Sequence, residues 1–160
     1  MKPAREPATR NQSTYFVTAL TSERRPLFRH ERWAKLFLEV LFRYRDAEYL
    51  VHEFVLMPDH FHVLLTPSGT LERAAQMIKG GFSRRASLDL SSKLDIWQRG
   101  FSDHRIRDGK DYEIHKTYIA QNPVKKGLCD RADEYPYGGA SGGYVLDPCP
   151  QGLKPVIFRD

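Results

Sequence analysis

Two histidines one residue apart, His60 and His62, open an apolar run in Met57-Pro58-Asp59-His60-Phe61-His62-Val63-Leu64-Leu65. In a β-strand, residues i and i+2 project from one face, roughly 6–7 Å apart along the chain. Two imidazoles so placed can converge on one cation while Phe61 points into the opposite layer. Downstream, Tyr118 and Asn122 are four residues apart and share one face of a helix. Laid against the histidine strand, that face offers the Asn122 carbonyl oxygen as a third ligand and the Tyr118 phenol as a nucleophile. A phenol with a pKa of about 10 holds little phenolate at neutral pH. A neighbouring cation stabilises the phenolate or polarises the electrophile it attacks. With basic segments nearby the natural electrophile is a phosphodiester, giving a phosphotyrosine that keeps the energy of the broken linkage and lets strands be rejoined without ATP.

Each feature also has a plainer use. A His-x-His in an apolar strand can be packing, a helical tyrosine can fill a core, and asparagine before proline can stop a helix. His115, one turn before Tyr118, competes as a ligand. Tyr112 has no amide or acid four residues on and is the weaker candidate nucleophile. His30, His52 and His104 are assigned to surface or sheet packing. Cys129 and Cys149 lack CxxC spacing, so neither a zinc knuckle nor a disulfide framework is indicated.

The 160 residues suit one domain with a single core. No apolar run approaches the roughly 20 residues of a membrane span, and the polar N-terminus has no signal-peptide character, so a cytoplasmic protein is expected. The net charge of +5 divides unevenly: +6 over residues 1–45, −5 over 46–72, +5 over 73–107 and −1 over 108–160. Two basic blocks flank the acidic stretch that bears the histidines. Such blocks suit a polyanion such as nucleic acid; a solvated basic surface is the alternative.

The elements that must position these residues follow from apolar period and turn signals. Strands are expected over 14–20, 48–57, 60–66 and 101–106, the second and third joined as a β-hairpin at Pro58-Asp59. Helices are expected over 31–46, 71–88 and 111–122, where Pro123 forbids simple continuation of the last, with 124–128 a segment that can resume helical structure. Gly80-Gly81 inside the second helix implies a bend or a close backbone approach. Residues 1–13 read as a flexible basic tail and 129–160 as a C-terminal tail wrapped on the domain without a core of its own. The order β-α-β-β-α-β-α corresponds to an α+β fold, a ferredoxin-like split βαβ antiparallel sheet with helices packed on one face.

Tyr15-Phe16-Val17-Thr18, the Met57–Leu64 block, Trp97-Gln98-Arg99-Gly100-Phe101 with Asp103-His104, and Tyr118-Ile119 followed by Asn122-Pro123-Val124-Lys125-Lys126-Gly127-Leu128 stand in the order of a known family. The chain resembles the single-tyrosine HUH transposases, and among them the REP-associated tyrosine transposases of bacteria. The resemblance implies an HUH-endonuclease-type domain over 14–128 that cleaves and transfers single-stranded DNA at palindromic, hairpin-forming repeats through a 5′-phosphotyrosine. It matches His60 and His62 to metal ligands, Tyr118 to the nucleophile and Asn122 to the third ligand, a position usually held by glutamine in the insertion-sequence branch. Two imidazoles and an amide favour zinc by ligand preference. The resemblance implies Mg²⁺ or Mn²⁺, with phosphate oxygens and water as the remaining hard ligands, and Mn²⁺ reconciles the two. Arg5, Arg10, Arg24, Arg25, Lys79, Arg84 and Arg85 are candidate DNA contacts. The resemblance further implies a monomer, unlike the helix-exchanging dimers of the insertion-sequence branch, working at the nucleoid. Two rivals stand beside it: a domesticated repeat-hairpin DNA-binding protein without cleavage activity, and a metal-dependent hydrolase of small phosphoesters, which leaves the basic blocks unexplained.

Overall fold

The computed structural model describes residues 13–153. Arg5 and Arg10, and nearly all of the expected N-terminal tail, lie outside them. The elements are β1 (Tyr15–Leu20), α1 (Glu31–Arg43), β2 (Tyr49–Met57), β3 (His60–Pro67), α2 (Leu71–Asp89), β4 (Ser102–Arg105) and α3 (Gly109–Lys125). The four strands form one antiparallel sheet in the order β2-β3-β1-β4. This is the split βαβ arrangement expected from the element order.

Helices cover both faces of this sheet, not one. The reason lies in β2 and β3: every residue of β3 is buried, so both of its faces need apolar cover. Phe61, Val63 and Leu65 join Phe37, Val40, Leu41, Ile78 and Phe82 of α1 and α2 in the main core. Leu64 instead meets Ile119 and Tyr112 of α3, with Val55 and Met57, in a second core on the other face. The alternation that sends Phe61 one way sends His60 and His62 the other, under α3.

Two details fix where α3 runs. The Asp108 side chain accepts from the Asp111 backbone N–H and caps the helix start. Pro123 lies inside the helix rather than ending it. Its missing N–H costs one backbone bond, but Ile119, Asn122 and Pro123 are all buried, and the Lys126 N–H still reaches the Asn122 carbonyl at 3.1 Å. Tertiary burial outweighs the local penalty. At the β-hairpin tip, the Pro58 and Asp59 carbonyls accept from the backbone N–H groups of Phe28 and Thr21 at 3.0 and 2.9 Å, which ties the histidine strand to the segment ahead of α1.

Gly81 answers the question of the double glycine. A Cβ there would lie 3.0 Å from Tyr44 and 3.1 Å from Val40 of α1, so the residue permits a close approach of the two helices. After α3 the chain returns along β2. The Leu56 N–H donates to the Tyr137 carbonyl at 2.8 Å, and Asp147 accepts from Arg45 and from the Val51 N–H. Among the described residues no helix is long and apolar enough to cross a membrane.

Candidate catalytic and metal site

The histidine pair is held by hydrogen bonds from its sequence and sheet neighbours. His60 Nδ1 lies 2.7 Å from Asp59 Oδ1, and His62 Nδ1 lies 2.7 Å from Thr18 Oγ1 on the adjacent strand, opposite which it is paired in register. A carboxylate accepts only, so His60 carries its proton on Nδ1 and keeps the lone pair on Nε2; at His62 the Thr18 hydroxyl, which both donates and accepts, orients the ring through Nδ1. The ring centroids are 4.7 Å apart. Burial lowers the pKa of His60 and pushes that of His62 down to about 3, with the neighbouring His60 adding to the effect. Both rings are neutral, as metal ligands must be. Partial burial works against ionisation of Asp59, yet its bonds to His60 and Arg24 outweigh that and hold the carboxyl below its usual value.

Helix α3 carries the other half. The Tyr118 ring stands 5.5 Å from His62 and 5.8 Å, edge-on, from Phe16, with Lys125 Nζ 5.8 Å from its centre. Lys126 lines a cleft of about 350 Å³ with His60, Asp59, Arg24 and Arg29. Asn122 sits midway, four residues from each of Tyr118 and Lys126. Its Oδ1 is, among the described residues, the one buried side-chain polar atom with no hydrogen-bond partner. Such an orphan normally costs ~1–3 kcal/mol and calls for an explanation. An oxygen lone pair with no protein donor, on the helix face whose Tyr118 contacts His62 and whose Lys126 shares a cleft with His60, is with the two neutral imidazoles a donor set that fits a divalent cation.

A family model described as "Transposase IS200 like" matches residues 9–122. The chain belongs to this family of IS200-like transposases. It is 30% identical over 142 residues to the REP-associated tyrosine transposase of Escherichia coli strain K12, covering 84% of this chain and 83% of that relative. A solved structure of a REP-associated tyrosine transposase bound to a REP hairpin superimposes with a TM-score of 0.71 at 23% identity, over 99% of this chain and 100% of the other.

In this transposase the remaining candidates separate by location. Arg24 pairs with Asp59 at 2.9 Å beside the histidines, and Arg25 with Glu23 at 2.8 Å. Lys79, Arg84 and Arg85 belong to α2, on the sheet face opposite α3. Lys79 is no open surface cation: its Nζ donates to the carbonyls of Gln98 and Gly100 at 3.0 and 2.6 Å, and burial lowers its pKa. Arg85 is engaged with Asp89 at 2.8 Å, while Arg84 is exposed. Tyr112 is 1% exposed and burial raises its pKa, which removes it as a nucleophile.

His115 does not join the His60–His62 pair. The Phe16 ring lies between, 5.1 Å from His62 on one side and 5.1 Å from His115 on the other. His52 is buried at a β-bulge, bonded to Thr66 Oγ1 at 2.8 Å. His104, assigned to surface or sheet packing, lies half-buried on edge strand β4, bonded to Asp111 and stacked on His115. Sequence reasoning missed Thr18 and Asp59 as supports. Asp59 was findable as the neighbour of His60; Thr18 needed the β1–β3 register.

Proposed function

We propose that this chain cleaves and rejoins single-stranded DNA at hairpin-forming repeats, with Tyr118 as nucleophile and His60, His62 and Asn122 holding a divalent metal. The observation that carries it is the orphaned Asn122 Oδ1, buried one helical turn from an exposed Tyr118 that contacts His62 and one turn before Lys126, which shares a cleft with His60. The Tyr118 oxygen attacks the scissile phosphorus and the P–O3′ bond breaks. The departing 3′-oxygen takes up a proton as the phenol releases its own, and the 5′-phosphate remains esterified to Tyr118. Attack by a 3′-hydroxyl of another strand reverses the step, so the number of phosphoester bonds is conserved. Asp59 holds His60 in the tautomer that presents Nε2, and Thr18 orients the His62 ring through Nδ1. A bound Mg²⁺ or Mn²⁺ would supply positive charge against the oxygens of the scissile phosphate, and Mn²⁺ suits the mixed nitrogen and oxygen donors best.

Tyr118 and the histidines come together within one chain, which supports a monomer as the acting unit. The E. coli relative and the hairpin bound in the similar structure support a repeat-derived DNA hairpin as the partner, and a cytoplasmic, nucleoid-associated location goes with it. The test is incubation with single-stranded repeat hairpins and Mn²⁺, followed by a denaturing gel. A covalent protein–DNA adduct is expected, absent in Tyr118→Phe; an adduct in that variant removes Tyr118 from the role. His60→Ala with His62→Ala should abolish cleavage while hairpin binding persists. Binding without an adduct across several metals would mark a protein that recognises hairpins and does not cut.

A further inference from the structure

A second group of metal-binding side chains stands on the far side of Phe16. His104 comes from the edge strand β4, and Asp111 and His115 from the first two turns of α3. His104 Nε2 lies 2.8 Å from Asp111 Oδ2, and His115 Nδ1 lies 3.1 Å from Asp111 Oδ1. The two imidazoles are stacked with centroids 4.5 Å apart. One ligand atom from each residue falls within 4.8 Å of the others. Two ligands on a shell of about 2.0–2.2 Å radius stand roughly 3.4 Å apart, close to the spacings found between each imidazole and the carboxylate.

We propose that His104, Asp111 and His115 form a second metal site, for a zinc-class divalent ion, distinct from the His60–His62–Asn122 centre. Two imidazoles and one carboxylate with the remaining positions open to water are a donor set for Zn²⁺, Co²⁺ or Ni²⁺ rather than Mg²⁺. The carboxylate is fixed in place: the Arg107 N–H donates to Asp111 Oδ2 at 2.9 Å. All three ligands are half-buried, so an ion can reach them from solvent. In the metal-free arrangement the His104 Nε2–H donates to the Asp111 carboxylate, and the His115 Nδ1–H donates to the Asp111 backbone carbonyl at 2.9 Å. Binding moves each proton to the other ring nitrogen and releases His115 Nδ1 from that carbonyl, so both nitrogens turn a lone pair to the ion with no net change in protonation. The ion would fasten β4 to the helix whose following turn carries Tyr118.

This inference does not depend on the cleavage chemistry, because it is read from metal stoichiometry. Equilibrium dialysis of the untagged full chain against Co²⁺ or Zn²⁺, with Co²⁺ followed by its visible ligand-field absorption, should give two equivalents bound. His60→Ala with His62→Ala should retain one, and His104→Gln with His115→Gln should also retain one. A wild-type chain that binds one equivalent, lost with His60 and His62, overturns the proposal. So does an equivalent that survives replacement of all four histidines. Should the His104/His115 variant fail to fold, the wild type still decides: Zn²⁺ must shift the ring proton resonances of His104 and His115, and rings that do not respond overturn the site.

Discussion

Tyr118 and Asn122 occupy successive turns of one face of α3, yet Tyr118 is 41% exposed and Asn122 only 3%. The helix thus presents a phenol to solvent while sealing an amide oxygen against the sheet, a division of labour suited to attack on a large substrate from an anchored site. Replacing Tyr118 with Phe removes one hydroxyl and keeps the ring contacts with His62 and Phe16. Stability should stay within about 0.5 kcal/mol of wild type, as for surface changes generally, while adduct formation is lost. Thermal melts alongside denaturing gels check both halves.

Asn122 should behave in the opposite way. Asn122→Leu removes a buried acceptor that has no partner, an arrangement that costs ~1–3 kcal/mol in the metal-free protein. The metal-free variant should therefore be at least as stable as wild type. Its melting temperature should no longer rise with added Mn²⁺, since the stabilisation by a ligand that binds only the folded state vanishes with the affinity. A metal-free Asn122→Leu that unfolds well below wild type would mean that the amide is a structural group.

The strands, the β-hairpin at Pro58-Asp59 and the order of elements were legible because each follows from local period and turn chemistry. The path of α3 was not. Pro123 signals a helix stop locally, whereas the burial of Ile119, Asn122 and Pro123 that carries the helix past it is tertiary. The second helical layer had a trace in the sequence, the near-continuous apolar run of β3, but the element order alone suggested one covered face. The His-x-His spacing, with Tyr118 and Asn122 at i and i+4, announced the pieces of the candidate site. Their supports Thr18 and Asp59, and the union of His104 with Asp111 and His115, depend on strand register and on the turn between β4 and α3. Lys79 read as a surface cation because nothing periodic marks the 98–100 loop that folds over its ammonium.

Acid sensitivity should come in part from His52. Burial lowers its pKa against the opposing pull of the Asp147 carbonyl. A histidine held neutral in the fold takes up a proton more readily once unfolded, so the unfolded state binds more protons below about pH 6.5. Stability is then full above that pH and falls as pH drops, by at most ~1.4 kcal/mol per pH unit for this residue. Glu53, whose pKa burial raises, works against the trend, because its protonated form is favoured in the fold. Comparison of wild type with His52→Gln largely cancels the Glu53 contribution. Urea unfolding of the metal-free protein at about pH 7.5 and about pH 5.5 should show a smaller loss for the variant, and equal losses would remove His52 as a contributor.

Two lysines of equal formal charge should separate cleanly in DNA binding. Lys126 is exposed and lines the cleft beside His60, where its charge is available to a phosphate. Lys126→Ala should weaken binding of single-stranded hairpins and reduce the slope of log affinity against log salt by about 0.7, the value for one phosphate contact on a single strand, with little change in stability. Lys79 bonds two loop carbonyls on the other side of the sheet. Lys79→Met should leave the salt slope unchanged and lower stability by about 0.5–1.5 kcal/mol through the loss of these hydrogen bonds, whose carbonyls lie on exposed residues and turn to water. Salt titrations of hairpin binding, paired with urea unfolding of the same variants, distinguish the two. A salt slope that falls in Lys79→Met and not in Lys126→Ala would move the DNA path to the α2 face of the sheet.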